Sequence, residues 1–342
     1  MTVWQGKYGP LLIAEIGGNH HGNFDYAKRL TDLAIGSGAD YIKFQLYTGD
    51  TLVSRSEGPD RNAHFKKFEL TQEMHIHLAE TCRAAGVGYM ASVWNSDFMD
   101  WIDPYMPIYK VGSGDMTAYP VLAKVAARKK PIILSTGLST LDEVVDAVAF
   151  LQKCDARYAS PEYLALLQCT SMYPIANYEA NLLVMDTLRK VTGLTVGYSD
   201  HTEGMQALIV ATAMGAEILE FHFTDTREGQ TFRDHKVSLT QAEVQTLQKE
   251  LLAIRELRGD GVKVPLECET DHRISFRRAI YPARDLPAGT QLTDEDLTCL
   301  RPNHGIDARE YWNVLGKFTT VPLKAHQKLE WQFLSETPLS EQ

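Results

Sequence analysis

Several features that would point to other classes of protein are missing from this sequence of 342 residues. No apolar run approaches the roughly 20 residues that cross a bilayer, and the first segment, MTVWQGKYGP, lacks the charge pattern and apolar centre of a signal peptide. The five cysteines are widely spaced and include no CxxC pair, which argues against a disulfide framework or a zinc cluster. We therefore expect a cytoplasmic protein with unpaired thiols that does not bind membranes.

An excess of positive charge is missing as well. The formal net charge is −10, with 34 Lys and Arg against 44 Asp and Glu. This balance argues against a nucleic-acid partner, which would need a basic surface. An anionic substrate remains compatible, because a site can be locally basic inside an acidic protein. The hydrophobic content of 44% is ordinary for a globular protein, and the length favours one large domain with a smaller one.

What the sequence does contain is eight short apolar runs that alternate with amphipathic segments. The runs are apolar along most of their length, as strands covered on both faces must be. They span residues 11–18, 41–47, 86–94, 108–113, 131–137, 164–171, 194–200 and 217–223. Thr140 with Glu143, and Thr240 with Glu243, have the spacing of capping boxes at helix starts. Eight strand–helix units predict an α/β fold, a closed (β/α)₈ TIM barrel. The absence of G-x-G-x-x-G after the first strand disfavours a doubly wound sheet.

The pattern changes near residue 260, and this change predicts three segments. Residues 1–258 form the barrel, and residues 259–273 are polar and irregular, as in a linker. Residues 274–342 contain short strands, a PAG turn and a TDEDL helix start, which predict a small α+β domain. A domain of this size is small for independent stability, so we expect it to pack on the barrel or on a second subunit.

Polar side chains interrupt the apolar pattern at the carboxyl ends of the predicted strands, where TIM barrels carry their chemistry. They are Glu15, Lys43, Gln45, Lys110, Ser113, Asp115, Ser135, Tyr173, Ser199, Asp200, His201, Glu220 and His222. Each one alone has a structural explanation, such as a packed histidine, a snorkelling lysine or a helix cap. Together they would crowd one buried mouth, at a desolvation cost of several kcal/mol unless a ligand or metal compensates it. We therefore predict an active site there.

The residue types in this mouth divide by chemistry. His201 and His222 end neighbouring strands and can share one divalent ion, and two imidazoles without a thiolate suit Mn²⁺ better than a closed zinc site. Glu15 and Asp234 are carboxylates that can orient sugar hydroxyls or move protons. A lysine and three serines, with free N–H groups at helix starts, predict a phosphate cradle. The cradle residues are Lys110, Ser113, Ser135 and Ser199.

Eight ordered motifs resemble those of the sialic acid (N-acetylneuraminate) synthase family. They are IAEIGGNHHG, IKFQ, YKVGSGD, LSTGLST, CTSMYP, GYSDHTEG, EFHFT and RDHKVSL. The tail RRAIYPARDLPAGTQLTDEDLTCLRP resembles the antifreeze-like (SAF) domain that ends these enzymes. The resemblance implies condensation of phosphoenolpyruvate with an N-acylated hexosamine, N-acetylmannosamine or a related diacetamido sugar, to give a nine-carbon 2-keto acid and phosphate. It also implies a divalent metal cofactor, with Mn²⁺ as the first choice and Mg²⁺ or Co²⁺ as alternatives.

The same resemblance implies a role for each motif residue. His201 and His222 would hold the metal, and Glu15, Asp115, Asp234 and His201 would be catalytic. The residues implied to bind phosphoenolpyruvate are Lys43, Lys110, Ser113, Ser135 and Ser199. Gln45 and Tyr173 would contact the sugar. Arg301 resembles an arginine that reaches from the small domain into the partner's barrel, which implies a domain-swapped homodimer.

This chain departs from the family pattern at the sugar end, where many relatives have Glu in place of Asp115 and a basic residue in place of Phe221. The identity of the sugar is therefore open. Two alternatives use the same barrel. A Schiff-base aldolase would use Lys43 or Lys110 as its amine, although the two histidines and the cradle serines argue against it. A catalytically inactive sugar-binding homologue is the second alternative.

Overall fold

The computed structural model describes residues 3–338 and divides into two units, Met1–Gly259 and Asp260–Gln342. In the first unit, a short strand β1 (Gln5–Gly6) pairs antiparallel with the start of a closed barrel of eight parallel strands. The barrel strands are β2 (Gly9–Glu15), β3 (Tyr41–Leu46), β4 (Gly88–Val93), β5 (Tyr109–Val111), β6 (Ile132–Ser135), β7 (Leu164–Cys169), β8 (Thr195–Asp200) and β9 (Ile218–His222). They follow chain order around the barrel, and β9 closes it by pairing with β2. The predicted TIM barrel is confirmed.

Helices follow the barrel strands along the first unit. They are α1 (Phe24–Ser37), α2 (Gly49–Leu52), α3 (Pro59–Lys67), α4 (Gln72–Ala84), α5 (Met99–Ile102), α6 (Tyr119–Ala126), α7 (Leu141–Cys154), α8 (Val184–Thr192), α9 (Gln206–Ala213) and α10 (Gln241–Arg258). Both predicted capping boxes are present at the starts of α7 and α10. The expectation of a helical segment after every strand is weakest after β4, where α5 makes a single short turn.

The barrel interior has two tiers. The lower tier, toward the amino ends of the strands, is an apolar plug of Trp4, Leu11, Ile13, Met90, Ile108, Ile133, Ala165, Leu167 and Ile218. Side chains two positions apart share a face of a strand, so the next inward positions are occupied by Glu15, Lys110 and Glu220. The plug therefore supports a polar tier at the carboxyl ends of the strands.

The outward faces of the strands pack against the helices in a second, larger apolar core. Leu12 and Leu166, for example, lie in the same cluster as Leu30 of α1 and Leu188 of α8, and all four are at most 1% exposed. Since a strand buried on both faces is apolar throughout, polar residues are confined to the last inward positions. That confinement is what made them visible in the sequence.

The second unit is a small α+β domain with two short antiparallel sheets. β10 (Ala279–Pro282) pairs with β11 (Leu297–Leu300), and β12 (Phe318–Thr319) pairs with β13 (Leu334–Ser335). Helices α11 (Thr270–Ser275) and α12 (Tyr311–Val314) belong to the same unit. Its own apolar core includes Ile280, Leu292, Ile306, Val314 and Leu329. Helix α11 crosses the predicted end of the linker at residue 273, so the irregular structure expected there is interrupted.

Two expectations concern membrane-spanning helices and cysteines. Among residues 3–338, no helix is both long enough and apolar enough to span a membrane. All five cysteines fall within this range, and all five thiols are free.

Candidate active site

The strand register brings the predicted residues together at the carboxyl end of the barrel. Glu15 on β2 lies directly opposite Lys43 on β3 and His222 on β9. Ser199 on β8 lies opposite Glu220 on β9. All five residues are at most 6% exposed. Parallel pairing at one height therefore gathers side chains that are far apart in the sequence.

A buried ion network of alternating charge occupies the polar tier. Lys43 Nζ is 2.7 Å from Glu15 Oε2 and 3.9 Å from Glu220 Oε1, and Lys110 Nζ is 3.4 Å from Glu220 Oε1. Burial alone would lower the pKa of Lys43, but Glu15 and Glu220 outweigh it and raise that pKa. Burial lowers the pKa of Lys110, although Glu220 opposes the shift. Both amines thus depend on nearby anionic groups for their charge.

Hydroxyl groups surround Lys110 on the side of β5 and β6. Lys110 Nζ donates to Ser135 Oγ at 2.7 Å, and the Gly137 N–H donates to Ser113 Oγ at 3.1 Å. A Cβ at position 137 would lie 2.4 Å from Ser171 Oγ and 2.8 Å from Ser113 Oγ. The space between these hydroxyls therefore exists because residue 137 is glycine. A cation, hydroxyls and a backbone turn make a cradle suited to a phosphate group.

Two residues at the centre of the site had no predicted role. Glu220 was noticed only as a polar residue near a strand end, and Ser92 was not noticed at all. Ser92 Oγ accepts from Lys43 Nζ at 3.3 Å, and Ser199 Oγ donates to Glu220 Oε1 at 3.1 Å. Alternation along each strand could have revealed both, because Ser92 lies two residues after the apolar Met90 and Glu220 lies two residues before His222. Glu220 Oε2 is buried without a hydrogen-bond partner among the described residues, which marks it as a group that awaits one.

The two predicted metal-binding histidines lie side by side, with 5.3 Å between their ring centroids. His201 Nδ1 is 2.7 Å from the Thr170 carbonyl, so it donates to that oxygen and leaves the Nε2 lone pair available. His222 Nδ1 is 3.9 Å from Asp234 Oδ2 and is buried without a hydrogen-bond partner among residues 3–338. Burial is the main cause that lowers the pKa of both imidazoles, which keeps them neutral, as metal binding requires.

These two imidazoles fit a divalent cation. The orphaned His222 Nδ1 and the fixed tautomer of His201 are the observations that support this fit. No group of three or more His, Cys, Asp or Glu side chains in the described part of the chain is arranged to hold a metal. A cation here would therefore have two protein ligands and keep positions open for water and substrate, unlike a closed structural site.

Aromatic and amide groups form the other side of the mouth. The Tyr173 ring packs on His201, with 4.0 Å between centroids, and the Arg233 guanidinium lies 4.6 Å from the Tyr173 centroid. Gln45 Nε2 donates to Glu15 Oε1 at 3.1 Å. Sugar hydroxyls need such side-chain amides and carboxylates as partners. This side of the mouth is therefore suited to a polar organic substrate.

Two carboxyl groups at the mouth titrate near neutral pH. Burial raises the pKa of Asp234 to about 6, although Arg233 opposes the shift. Burial likewise raises the pKa of Asp115, on the turn after β5, to about 6, with Lys110 opposing. Groups with such values can accept and release protons under physiological conditions.

The segment GYSDHTEG, at the end of β8, presents its three polar side chains in different directions. Ser199 and His201 face the site, whereas Asp200 accepts hydrogen bonds from Tyr198 Oη at 3.1 Å and from the Thr202 N–H at 2.8 Å. Asp200 therefore supports the loop that carries His201.

Arg301, in the second unit, follows β11 and lies 5.6 Å from the Phe276 centroid. The roles that the family resemblance implies for Ser199, His201 and Arg301 stay predictions.

Comparison with known proteins identifies the family. The model of the NeuB family matches residues 30–263, and the SAF domain model matches residues 277–335. The N,N'-diacetyllegionaminic acid synthase of Legionella pneumophila is 35% identical over 94% of both chains. The N-acetylneuraminate-9-phosphate synthase of Mus musculus is 29% identical over 93% of this chain and 91% of the mouse protein. The crystal structure of a Leptospira borgpetersenii N-acetylneuraminic acid synthetase in complex with citrate has a TM-score of 0.71 and 29% identity, over 77% of this chain and 89% of that one. The barrel fold and these matches show that this chain belongs to the NeuB family and contains a SAF domain after the barrel.

Proposed function

We propose that this protein condenses phosphoenolpyruvate with an N-acylated hexosamine, forming a nine-carbon 2-keto acid and releasing phosphate. The observation that carries the proposal is the pairing of a buried lysine–serine cradle with two neutral histidines at one height of the barrel. The cradle can bind the phosphate of a phosphorylated enol. A cation held by the two histidines can polarise the carbonyl of an aldehyde beside it. The synthase relatives support the same reaction class.

Phosphoenolpyruvate fits the lysine side of the site, because its phosphate and carboxylate are anionic. Its phosphate would lie between Lys110, Ser135 and the space beside Gly137, and Ser113 and Ser199 would add hydroxyl contacts. Lys43 would face its carboxylate. An anion that enters this network can replace Glu220 as partner of the two ammonium groups, which offsets the cost of burying them. Binding in a fixed pose also orients the methylene carbon toward the sugar.

His201 and His222 would hold a divalent cation, with Mn²⁺ expected, and such an ion supplies Lewis-acid polarisation of a carbonyl oxygen. The enol methylene carbon adds to the aldehyde carbon of the open-chain sugar, and a new carbon–carbon bond forms. Water then adds at C2, and cleavage of the C–O bond releases phosphate. Gln45 and Tyr173 would position the sugar, because they border the two histidines and Glu15.

Proton movements in this scheme fall to the carboxyl groups. The aldehyde oxygen gains a proton as it becomes a hydroxyl, and the attacking water loses one. The C2 hydroxyl that forms then loses its proton to the departing phosphate as the keto group appears. Asp234, whose pKa is about 6, lies beside His222 and would exchange protons with the sugar oxygen. The other candidates are Glu15, which is paired with Lys43, and Asp115, whose pKa is influenced by Lys110. Phosphoenolpyruvate is a cytoplasmic metabolite, so the proposal places the enzyme in the cytoplasm.

A homodimer is part of the proposal. Arg301 lies in a SAF domain, and we infer that this domain completes the barrel of a partner subunit and limits the access of water to it. Support comes from the motif around Arg301 and from the small size of the domain, which has a limited core of its own.

Phosphate release tests the proposal. Purified protein, stripped of metal with a chelator, is given phosphoenolpyruvate with and without N-acetylmannosamine and a diacetamido hexose, and Mn²⁺ is added back. We expect release that depends on both Mn²⁺ and sugar, and a nine-carbon keto acid in the products. Borohydride trapping of a pyruvate adduct on Lys43 or Lys110 would instead indicate an aldolase. Sugar binding without phosphate release from any mixture would indicate an inactive homologue.

A further inference from the structure

We propose that the indole of Trp94 is a further phosphoenolpyruvate-binding group, whose N–H donates to the phosphate next to the turn of Ser113. This inference rests on the proposed function and deepens it, since it adds a residue to the phosphate side of the site. Trp94 follows β4 directly and lies outside the eight motifs that resemble the family.

Trp94 occupies an inward position one step above the polar tier. Alternation along β4 places Met90 in the apolar plug and Ser92 Oγ within 3.3 Å of Lys43 Nζ. Trp94 is the next residue of this series. Its backbone N–H donates to the Leu46 carbonyl at 3.0 Å, which continues the pairing of β4 with β3. The series therefore directs the indole toward the space above the ion network.

The indole N–H borders open space beside the cradle. On β5 the same alternation leads from Lys110 to Gly112, which has no side chain. A Cβ on Gly112 would lie 3.6 Å from Trp94 Nε1 and, apart from its chain neighbours, would meet no other atom of the described residues within 4 Å. The room between Lys110 and the turn of Ser113 is thus bounded by an N–H group.

This N–H is available to a ligand. Trp94 is half-buried, and its Nε1 has no hydrogen-bond partner in the part of the chain that the structure describes. Two other donors of the cradle are engaged, because Lys110 Nζ donates to Ser135 Oγ and the Gly137 N–H donates to Ser113 Oγ. The indole can therefore bind an anion without the loss of a contact inside the protein.

The charges of the polar tier nearly cancel, which gives neutral donors a large share in holding an anion. Lys43 and Lys110 attract a phosphate. The carboxylates of Glu15 and Glu220, and the ionised form of Asp115, repel it. A hydrogen bond to a charged acceptor is among the stronger ones in proteins. The indole N–H adds such a bond without a further charge that has to be buried.

Aromatic packing holds the indole in place. The rings of Trp94 and Tyr47 are stacked, with centroids 5.2 Å apart and an interplanar angle of 29°, and Tyr47 is only 4% exposed. Phe65 of α3 packs edge-on against both rings, with its centroid 5.2 Å from Tyr47 and 6.3 Å from Trp94. The indole is thus oriented before the ligand arrives, which lowers the entropic cost of the hydrogen bond.

The experiment compares Trp94→Phe with the wild type by isothermal titration in the presence of Mn²⁺, with phosphoenolpyruvate and inorganic phosphate as separate ligands. Phenylalanine keeps a ring that can stack on Tyr47 but has no N–H. We expect Kd to rise at least tenfold for both ligands, because the variant loses a hydrogen bond to a charged group. In the phosphate-release assay KM for phosphoenolpyruvate should rise by a similar factor, and KM for the sugar should stay the same.

Trp101→Phe is the matched control. Trp101 on α5 also has an indole N–H without a partner among residues 3–338, but its ring packs on Phe98 and against the core between strands and helices. Both Kd values should equal those of the wild type. Binding of phosphate should also change the tryptophan fluorescence of the wild type and of Trp101→Phe by the same amount. Circular dichroism and the thermal midpoint establish that Trp94→Phe is folded.

The other outcomes separate this assignment from the condensation reaction. An unchanged Kd for both ligands in Trp94→Phe would overturn the role of the indole. A weaker Kd for phosphoenolpyruvate alone would overturn it too, since the N–H would then face the carboxylate. A wild-type protein that binds neither ligand would overturn both proposals. Binding that depends on Trp94, without phosphate release from any sugar, would support the indole's role and overturn the proposed function.

Discussion

Lys43 and Glu15 form an ion pair inside the barrel, with 2.7 Å between Nζ and Oε2 and side chains only 4% and 2% exposed. A pair buried this deeply is a weak source of stability, but removal of one partner leaves a charge without compensation. We therefore expect Glu15→Gln to lower the free energy of unfolding by about 3 kcal/mol, since Glu220 at 3.9 Å compensates Lys43 only in part. Urea denaturation measures the change.

The control for this variant is an exposed pair. Lys28 and Asp25 on α1 are 2.8 Å apart but are 41% and 88% exposed, so Lys28→Gln should leave the denaturation midpoint almost unchanged. Equal midpoints for Glu15→Gln and Lys28→Gln would contradict the importance of the buried network.

His201→Ala should abolish specific Mn²⁺ binding as well as turnover. Two protein ligands leave no redundancy, and the remaining imidazole would bind Mn²⁺ only weakly. Isothermal titration with Mn²⁺ alone measures binding without reference to activity. His77→Ala removes an exposed imidazole on α4 that packs on Phe24 and serves as the control. Full Mn²⁺ stoichiometry in His201→Ala would place the metal elsewhere.

Gly137→Ala should raise KM for phosphoenolpyruvate at least tenfold, since its Cβ would displace the Ser113 and Ser171 hydroxyls from the cradle. The change should spare the fold, because residue 137 has no positive φ angle. Gly114→Ala is the matched control, since a Cβ there meets nothing within 4 Å. An unchanged KM in Gly137→Ala would mean that the phosphate binds away from this turn.

Asp115 should make stability depend on pH in a defined direction. Burial raises its pKa from 3.8 to about 6, so folding favours the protonated form. The stabilisation is complete below the unfolded value and is lost as the pH rises through the folded one. Relative to the wild type, Asp115→Asn should therefore gain about 2 kcal/mol between pH 4 and pH 7.5. Urea titrations at both values test this, and a pH-independent difference would contradict the shifted pKa.

Complementation between two inactive variants tests the homodimer. Arg301→Ala lacks the SAF arginine, and Lys110→Met has a defective cradle, so neither should be active alone. If Arg301 acts in the partner's barrel, exchange of subunits should restore about one quarter of wild-type activity, since half the dimers are mixed and each has one intact site. A mixture that stays inactive would indicate that Arg301 acts within its own chain, and a monomer in sedimentation would exclude the dimer.

Much of the barrel was predictable because its strands are buried on both faces. The eight predicted runs contain the eight observed strands, apart from two residues at the start of β2. The predicted ends of the strands differ from the observed ends where backbone geometry, and not hydrophobicity, ends the strand. The run at residues 11–18 ends as a strand at Glu15, because Gly17 adopts a φ of +53° and turns the chain. Apolar Ile16 gave no sign of that turn.

The excursion after β3 was not predicted, for a different reason. Helices α2 and α3 are short and charged and have no apolar period that would reveal them. They are held by Asn62, whose Nδ2 donates to the carbonyls of Gly49 and Val53, each at 2.8 Å. Such contacts between distant residues leave no local pattern.

The alternation of inward and outward side chains along β9, above the apolar plug, determines how an inserted residue would act on this chain. Inward and outward positions alternate strictly along β9, so one residue added just before Glu220 would turn both Glu220 and His222 toward the helices. Leu219 and Phe221 sit at outward positions of the same strand, packed with the helical shell. A single inserted residue would thus remove a charge partner and a histidine together, whereas the same insertion in the loop after the strand would leave both in place.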